Sequence, residues 1–272
     1  MNGIYIAVFS VTAIGLFCAA VLSLASKLMF VKVDERVAEV QGALPGANCG
    51  ACGYPGCSGY AVALLSGKGV KTNLCTPGGD DVVAKISALL GVKAESVVHK
   101  YAIVHCRGDS GAQQKKMDYF GIQSCAAAKQ LYGGEGACAF GCLGSGDCQK
   151  VCPSNAICID NSLARIIPGL CTGCGLCVKT CPNNLISVES ADRKVSVLCK
   201  NIEKGAAARK KCSNCCIACG KCVRECPAAA IVLEENLAGI DYEKCNSCGR
   251  CAEICVTKCI QPSADKLLIN KT

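Results

Sequence analysis

The first 26 residues carry no charged side chain, and from Ile4 to Ser26 the run IYIAVFSVTAIGLFCAAVLSLAS is largely apolar. As a helix these 23 residues reach about 34 Å, enough for a bilayer core of about 30 Å. A cleaved secretory signal is the competing reading. Against it, no Lys or Arg precedes the run, and the apolar stretch exceeds a usual signal core. Lys27, Lys32 and Arg36 follow instead, so the positive-inside rule puts the N-terminus outside and everything after Lys27 in the cytoplasm. The pattern predicts an uncleaved single-pass anchor, residues 1–30, in the inner (cytoplasmic) membrane. Cys18 lies inside the span and reads as a small apolar residue.

Residues 31–98 read differently. DERVAEVQGALPGANCGACGYPGCSGYAVALLSGKGV has helical periodicity on either side of a Gly-rich loop, and GDDVVAKISALLGV (79–92) reads as an amphipathic helix with a core-facing stripe. Cys49, Cys52 and Cys57 sit in the loop, and Cys75 follows 18 residues later. The four predict a [4Fe–4S] site in a small, mostly helical domain, with zinc as the other metal this cage could take.

Past residue 120 the chain repeats with an offset of 74 residues and no gap. Cys125, Cys138, Cys142, Cys148, Cys152, Cys171, Cys174, Cys177 and Cys181 have partners at Cys199, Cys212, Cys216, Cys222, Cys226, Cys245, Cys248, Cys251 and Cys255. The neighbours agree, with CPSNAI at 152–157 facing CPAAAI at 226–231. Two copies of one unit follow, over 99–190 and 191–272. The fold class expected is therefore α+β: a transmembrane helix, a 4Fe–4S domain and two tandem bacterial two-cluster ferredoxin-like units.

Within each unit the spacing C-x2-C-x2-C-x3-C is that of two-cluster ferredoxins, whose fourth cysteine ligates the other cluster. CTGCGLCVKTCP (171–182), CIACGKCVRECP (216–227) and CNSCGRCAEIC (245–255) have it in full. The fourth cysteine is expected to open a helix, with Pro153, Pro182 and Pro227 in its first turn. Val256 stands where a fourth proline belongs. CLGSGDCQKVCP (142–153) has Ser145 in the middle position and needs a substitute ligand. Cys138 is the nearest candidate; a defective or three-cysteine site is the alternative. The expected sets are Cys138, Cys142, Cys148 with Cys181; Cys171, Cys174, Cys177 with Cys152; Cys216, Cys219, Cys222 with Cys255; and Cys245, Cys248, Cys251 with Cys226. About five [4Fe–4S] clusters result. Cys125, Cys199 and Cys212 remain candidates for additional ligands. Cys106, Cys158, Cys215 and Cys259 have no assigned role.

Composition narrows the chemistry further. Of 272 residues 28 are Cys, 29 are Gly and none is Trp, so the Cys-rich segments bury little apolar surface and need a metal centre to order them. A cytoplasmic location argues against disulfides. With His99 and His105 the only histidines, thiolate must do most of the ligating. Zinc ribbons use two C-x2-C pairs about 15–20 residues apart, whereas here three cysteines share one loop. The formal charge of +8 suggests nucleic acid, but each cubane with four thiolates contributes about −2, and five bring the total to about −2. No basic run with interleaved aromatics appears, so nucleic acid is not an expected partner. No G-x-G-x-x-G follows a strand and no P-loop is present, so nucleotide chemistry lies elsewhere. One span without an interior charge offers no ion path by itself. DSGA at 109–112 is not the Ser/Thr-Gly-Ala-Thr pattern of a covalent flavin site.

The order of one membrane helix, CGACGYPGC…C, GACAFGCLGSGDCQKVCP with CTGCGLCVKTCP, and then a second such unit resembles the B subunit of the Rnf-type ion-translocating ferredoxin:NAD oxidoreductase complex. The resemblance spans nearly the whole chain, with ANCGACGYPGC and GCLGSGDC its most specific parts. It implies an electron-entry arm that meets soluble ferredoxin in the cytoplasm and passes electrons to membrane subunits, then through flavin-bearing ones to NAD. It implies coupling to Na⁺ or H⁺ transport by the complex, and no independent catalytic site here. The Cys49, Cys52, Cys57 and Cys75 site, which directly follows the anchor, is then nearest the membrane. Two other readings compete: an electron-wire subunit of a hydrogenase or formate dehydrogenase, and a membrane-tethered zinc scaffold.

Overall fold

The computed structural model describes residues 2–28, 34–67 and 69–262. The apolar run forms one helix, α1 (Asn2–Leu28), whose described side chains are nearly all exposed. Among the described residues it is the one helix long and apolar enough to cross a membrane. Its backbone groups are satisfied internally, which is what lipid demands. Lys27 sits in its last turn, favourably placed against the helix dipole. Lys32 lies outside the described residues.

Three helices follow. The Asp34 side chain accepts a hydrogen bond from the Arg36 amide at 3.0 Å and opens α2 (Glu35–Ala43). With α3 (Gly56–Leu65) and α4 (Gly79–Leu90) it encloses a small core of Val40, Leu44, Tyr60, Ala61, Leu64, Ile86 and Cys75. The stripe read in 79–92 faces inward through Val83 and Ile86, and Gly91 ends α4 in the left-handed conformation. The Tyr60 hydroxyl donates to the Lys71 carbonyl at 2.7 Å and ties α3 to the segment carrying Cys75.

The remaining chain forms two Cys-rich units of matching topology. In the first, β1 (Lys100–Val104) pairs antiparallel with a distant β4 (Ile186–Ser190). Between them lie α5 (Cys125–Gln130), α6 (Asp147–Lys150), the hairpin β2 (Ile157–Asp160) and β3 (Leu163–Ile166), and α7 (Leu176–Thr180). In the second, β5 (Val195–Val197) pairs with β8 (Ile260–Pro262). They enclose α8 (Gly205–Lys211), α9 (Lys221–Arg224), the hairpin β6 (Ile231–Glu234) and β7 (Leu237–Ile240), and α10 (Arg250–Glu253). The hairpins turn through Asn161–Ser162 and Glu235–Asn236, all at positive φ, as two-residue turns between twisted strands require.

Each described sheet has only two strands, and two-stranded ribbons are marginal on their own. The cores of both units are accordingly shared between aliphatic side chains and cysteines. Cys148 and Cys177 pack with Val104, Ile157 and Leu185, and Cys216, Cys222 and Cys251 with Val197, Ile231 and Ile260. The units touch through His105, whose Nδ1 meets the Val197 carbonyl at 2.8 Å, and through Arg107, whose Nη1 donates to the Lys258 carbonyl at 2.6 Å.

One local expectation is overturned. The fourth cysteine of each group does not open a helix. A single helical turn (α6, α7, α9 or α10) precedes it, and the chain then turns sharply into a strand. Pro153, Pro182 and Pro227 open that turn, and the residue three places after each cysteine (Asn155, Asn184, Ala229) has positive φ. The next amide then points back at the cysteine sulfur, as with Leu185 N to Cys181 Sγ at 3.4 Å and Ala230 N to Cys226 Sγ at 3.3 Å. Proline suits the site because it brings no extra donor into a turn whose amides are committed to sulfur.

Candidate metal centres

The four spaced groups fold into loops that end in the one-turn helices. The residue before each turn is Gly146, Gly175, Gly220 or Gly249, all left-handed, which reverses the chain; Cys174 and Cys177 then line one cavity and Cys219 and Cys222 another. Cys152, Cys171, Cys174 and Cys177 wall one cavity. Cys216, Cys219, Cys222 and Cys255 wall another, with Cys259 beside them. Cys251 lies among the charges of Cys245 and Cys248, in a core that Cys226 also packs against. Cys181 faces away from Cys177, four residues earlier, and lines a separate cavity with Cys142 and Cys148.

That cavity has Cys125 as its fourth sulfur. Cys138 does not line it; the expected substitute for Ser145 stands in a different cavity, with Cys199, Cys212 and Cys215. The reason lies in Asp147. Its carboxylate accepts from the Ser124 hydroxyl at 2.8 Å and the Ala126 amide at 3.1 Å, clamping the start of α5 against the loop that carries Cys142 and Cys148. Partial burial acts to raise its pKa, but those two donors and Lys150 outweigh it and hold the carboxyl below its usual range. Nearness in sequence favoured Cys138. The signal for Cys125 was a serine in the ligand slot with an acid two residues on, where the second unit has Cys219 and Lys221.

Near the N-terminal helices, Cys75 is buried, and its thiol is raised by burial and by the charges of Cys57, Cys52 and Cys49. Asn48, at positive φ, accepts from the Cys57 amide at 2.8 Å and closes the loop. Lys179 of α7 donates to the Cys49 carbonyl at 3.3 Å, so this loop abuts the helical turn between Cys177 and Cys181.

The donor sets fit cubanes. Among the described residues no three Cys, His, Asp or Glu groups converge closely enough to hold a single ion. A tetrahedral zinc with Zn–S of about 2.3 Å would draw its sulfurs to about 4 Å from one another. The thiols instead stand around cavities and receive backbone N–H bonds, the contacts that tune cluster sulfurs. Burial, then the charges of neighbouring sulfurs, push Cys148 up to about 12 and Cys177 to about 11. Such thiols ionise only when a cation offsets the burial, so metal binding must release their protons. In the second unit the Cys259 sulfur lies 3.6 Å from that of Cys255 and also neighbours Cys216. Hydrogen bonding among the three holds Cys255 and Cys216 below the usual thiol range and raises Cys259. Cys158, on β2, faces the Arg165 carbonyl at 3.8 Å and joins none of these cavities.

Thiol-walled cavities in two repeated units, behind a membrane-length helix, define a multi-centre iron–sulfur electron carrier. Two family models match, a putative Fe–S cluster domain over residues 44–77 and a 4Fe–4S binding domain over 164–187. The chain is 39% identical to the B subunit of the Na⁺-translocating ferredoxin:NAD⁺ oxidoreductase complex of Acetobacterium woodii, over 96% of this chain and 78% of the relative. It is 42% identical to the B subunit of the proton-translocating ferredoxin:NAD⁺ oxidoreductase complex of Clostridium ljungdahlii, over 95% and 91%. It is 36% identical to the B subunit of the ion-translocating oxidoreductase complex of Methanosarcina acetivorans, over 91% and 94%. The chain belongs to this family of B subunits of ion-translocating oxidoreductase complexes. It is an iron–sulfur electron-transfer subunit of a membrane-associated, multi-subunit complex.

Proposed function

We propose that the chain relays electrons between soluble ferredoxin on the cytoplasmic side and the membrane and flavin subunits that lead to NAD, within a complex that moves Na⁺ or H⁺. The parts would be an anchor (1–30), a CGxCGYPGC-type 4Fe–4S domain (31–98) and two ferredoxin-like units (99–190 and 191–272). Five [4Fe–4S] sites fit the thiols already described: Cys49, Cys52, Cys57, Cys75; Cys125, Cys142, Cys148, Cys181; Cys152, Cys171, Cys174, Cys177; Cys216, Cys219, Cys222, Cys255; and Cys226, Cys245, Cys248, Cys251. Such clusters supply one-electron chemistry at potentials the surroundings set.

The protein's own work is positional. Glycine turns aim the sulfurs, amides point at them, and the apolar strands keep water from the buried ones. The observation that carries the reading is the crossing in the first unit, where Cys177 and Cys181 belong to different cavities although one helical turn joins them. That turn also touches the loop of Cys49 through Lys179. Three sites are therefore connected through α7. In the second unit Cys219 and Cys248 are exposed, a fitting face for a soluble electron donor.

The test is to mix reduced ferredoxin with the anaerobically purified full chain and follow the broad visible absorption of the clusters. Rapid bleaching supports the relay. A colourless protein containing zinc, or clusters that ferredoxin does not reduce, would overturn it.

A further inference from the structure

One thiol-walled cavity is not used by the five sites. It lies between the two units and is lined by Cys106, Cys138, Cys199, Cys212 and Cys215. Cys138, Cys199, Cys212 and Cys215 are all buried, whereas each of the five sites above has at least one partly exposed cysteine.

The surrounding chain is built to bring these sulfurs together. Residues 112–114 bridge the two units through their backbone. On one side the Ala137 amide donates to the Gln114 carbonyl at 2.8 Å, next to Cys138. On the other, the Gln114 amide donates to the Lys211 carbonyl at 2.8 Å and the Ser213 amide to the Ala112 carbonyl at 3.0 Å, either side of Cys212. The sulfurs already receive donors: the Cys216 amide to Cys199 Sγ at 3.3 Å, and Asn201 Nδ2 to Cys138 Sγ at 3.5 Å. Asn201 is only 1% exposed. Burying four thiols around one space is hard to account for by packing alone, since an apolar core would fill it better.

We propose that Cys138, Cys199, Cys212 and Cys215 hold a sixth [4Fe–4S] cluster joining the two units. Cys106 lines the same cavity but is left out of the set, because the sulfurs that act on Cys215 are those of Cys199, Cys212 and Cys138, whereas the first sulfur acting on Cys106 is that of Cys142. The site adjoins both units along the chain. Cys215 precedes Cys216 directly, and the segment from Cys138 runs into Cys142. The inference rests on the cubane reading of the other sites.

The experiment is anaerobic iron, acid-labile sulfide and zinc analysis of the full chain, with Mössbauer spectra. Six sites predict about 24 iron and 24 sulfide per chain. Cys212→Ser with Cys215→Ser should lower both to about 20, leaving the other spectra unchanged, and Cys106→Ala should keep about 24. About 20 iron in the unsubstituted protein would overturn the sixth site while leaving the relay intact. One zinc per chain that the double substitution removes would also overturn it, as would a four-iron loss in Cys106→Ala. No iron at all would instead sink the relay reading itself.

Discussion

The Ser124 hydroxyl donates to the Asp147 carboxylate at 2.8 Å, and this bond joins two segments 23 residues apart in the chain. It brings Cys125 to the cavity where Ser145 leaves a ligand missing. The first unit should therefore depend on Cys125 as the second depends on Cys219. Cys125→Ser is expected to cost about four iron per chain. Adding Ser145→Cys to that variant should restore them, because the same loop in the second unit carries its ligand there. Iron analysis of the single and double variants checks this; full iron in Cys125→Ser would remove Cys125 from the set.

The clamp itself should be measurable. Asp147→Ala removes a helix-start acceptor, a change that typically costs about 1 kcal/mol. The loss should appear as a lower denaturant midpoint and as faster release of the iron held near Cys125. Asp147→Asn keeps an acceptor and should lose less. Equal losses in the two variants would mean that the carboxylate charge, rather than its hydrogen bonds, fixes α5.

Acid should loosen the seam between the units. Glu189 is buried on β4. Burial acts to raise its pKa, but the His105 ring, the Ser187 hydroxyl and Arg193 outweigh it and bring it to about 2. A carboxylate lowered in the fold adds stability above its unfolded pKa of about 4.5 and loses it as pH falls from there toward 2. The size is on the order of 3 kcal/mol. Glu189→Gln should be less stable than the unsubstituted chain at pH 6, and the gap should shrink to less than half by about pH 3, closing only below the folded pKa. Denaturant midpoints at both pH values measure it, and a gap unchanged with pH would sink the assignment.

Spacing made the local chemistry legible in the sequence, because cysteines two or three residues apart must share a loop wherever that loop lies. The membrane-length helix was legible for a similar reason: its apolar run is continuous. What stayed hidden was set by long-range packing. The 74-residue repeat equates Cys125 with Cys199. In the structure Cys106 is the counterpart of Cys199. Each lies two residues after a strand, and each sulfur accepts the amide of its unit's leading cysteine, Cys142 or Cys216. Cys142 follows Cys106 by 36 residues and Cys216 follows Cys199 by 17. The extra length in the first unit carries Cys125 and the bridging segment 112–114. A gapless repeat cannot register such an insertion.

Lys179 links the N-terminal loop to the first unit, and its charge lies beside the Cys49 carbonyl. A cation near a cluster favours the reduced, more negative form. Lys179→Gln should therefore lower the potential of the site built on Cys49, Cys52, Cys57 and Cys75. The interaction is on the order of 1 kcal/mol at an exposed position, a few tens of millivolts for one electron. Redox titration by electron paramagnetic resonance reads it, and a potential that rises or stays fixed would separate Lys179 from this site.

Cys52→Ala distinguishes a relay from a collection of independent centres. Cys52 lies on the loop beside Cys75 and lines none of the cavities of the repeated units, so their thiols keep their partners when it is removed. The variant complex should lose about four iron and all ferredoxin-driven NAD reduction, while ferredoxin still reduces the remaining clusters. If NAD reduction survived, electrons would be leaving the repeated units without passing the membrane-proximal site. The loop of Cys49 would then serve the fold, and the contact made by Lys179 would be structural.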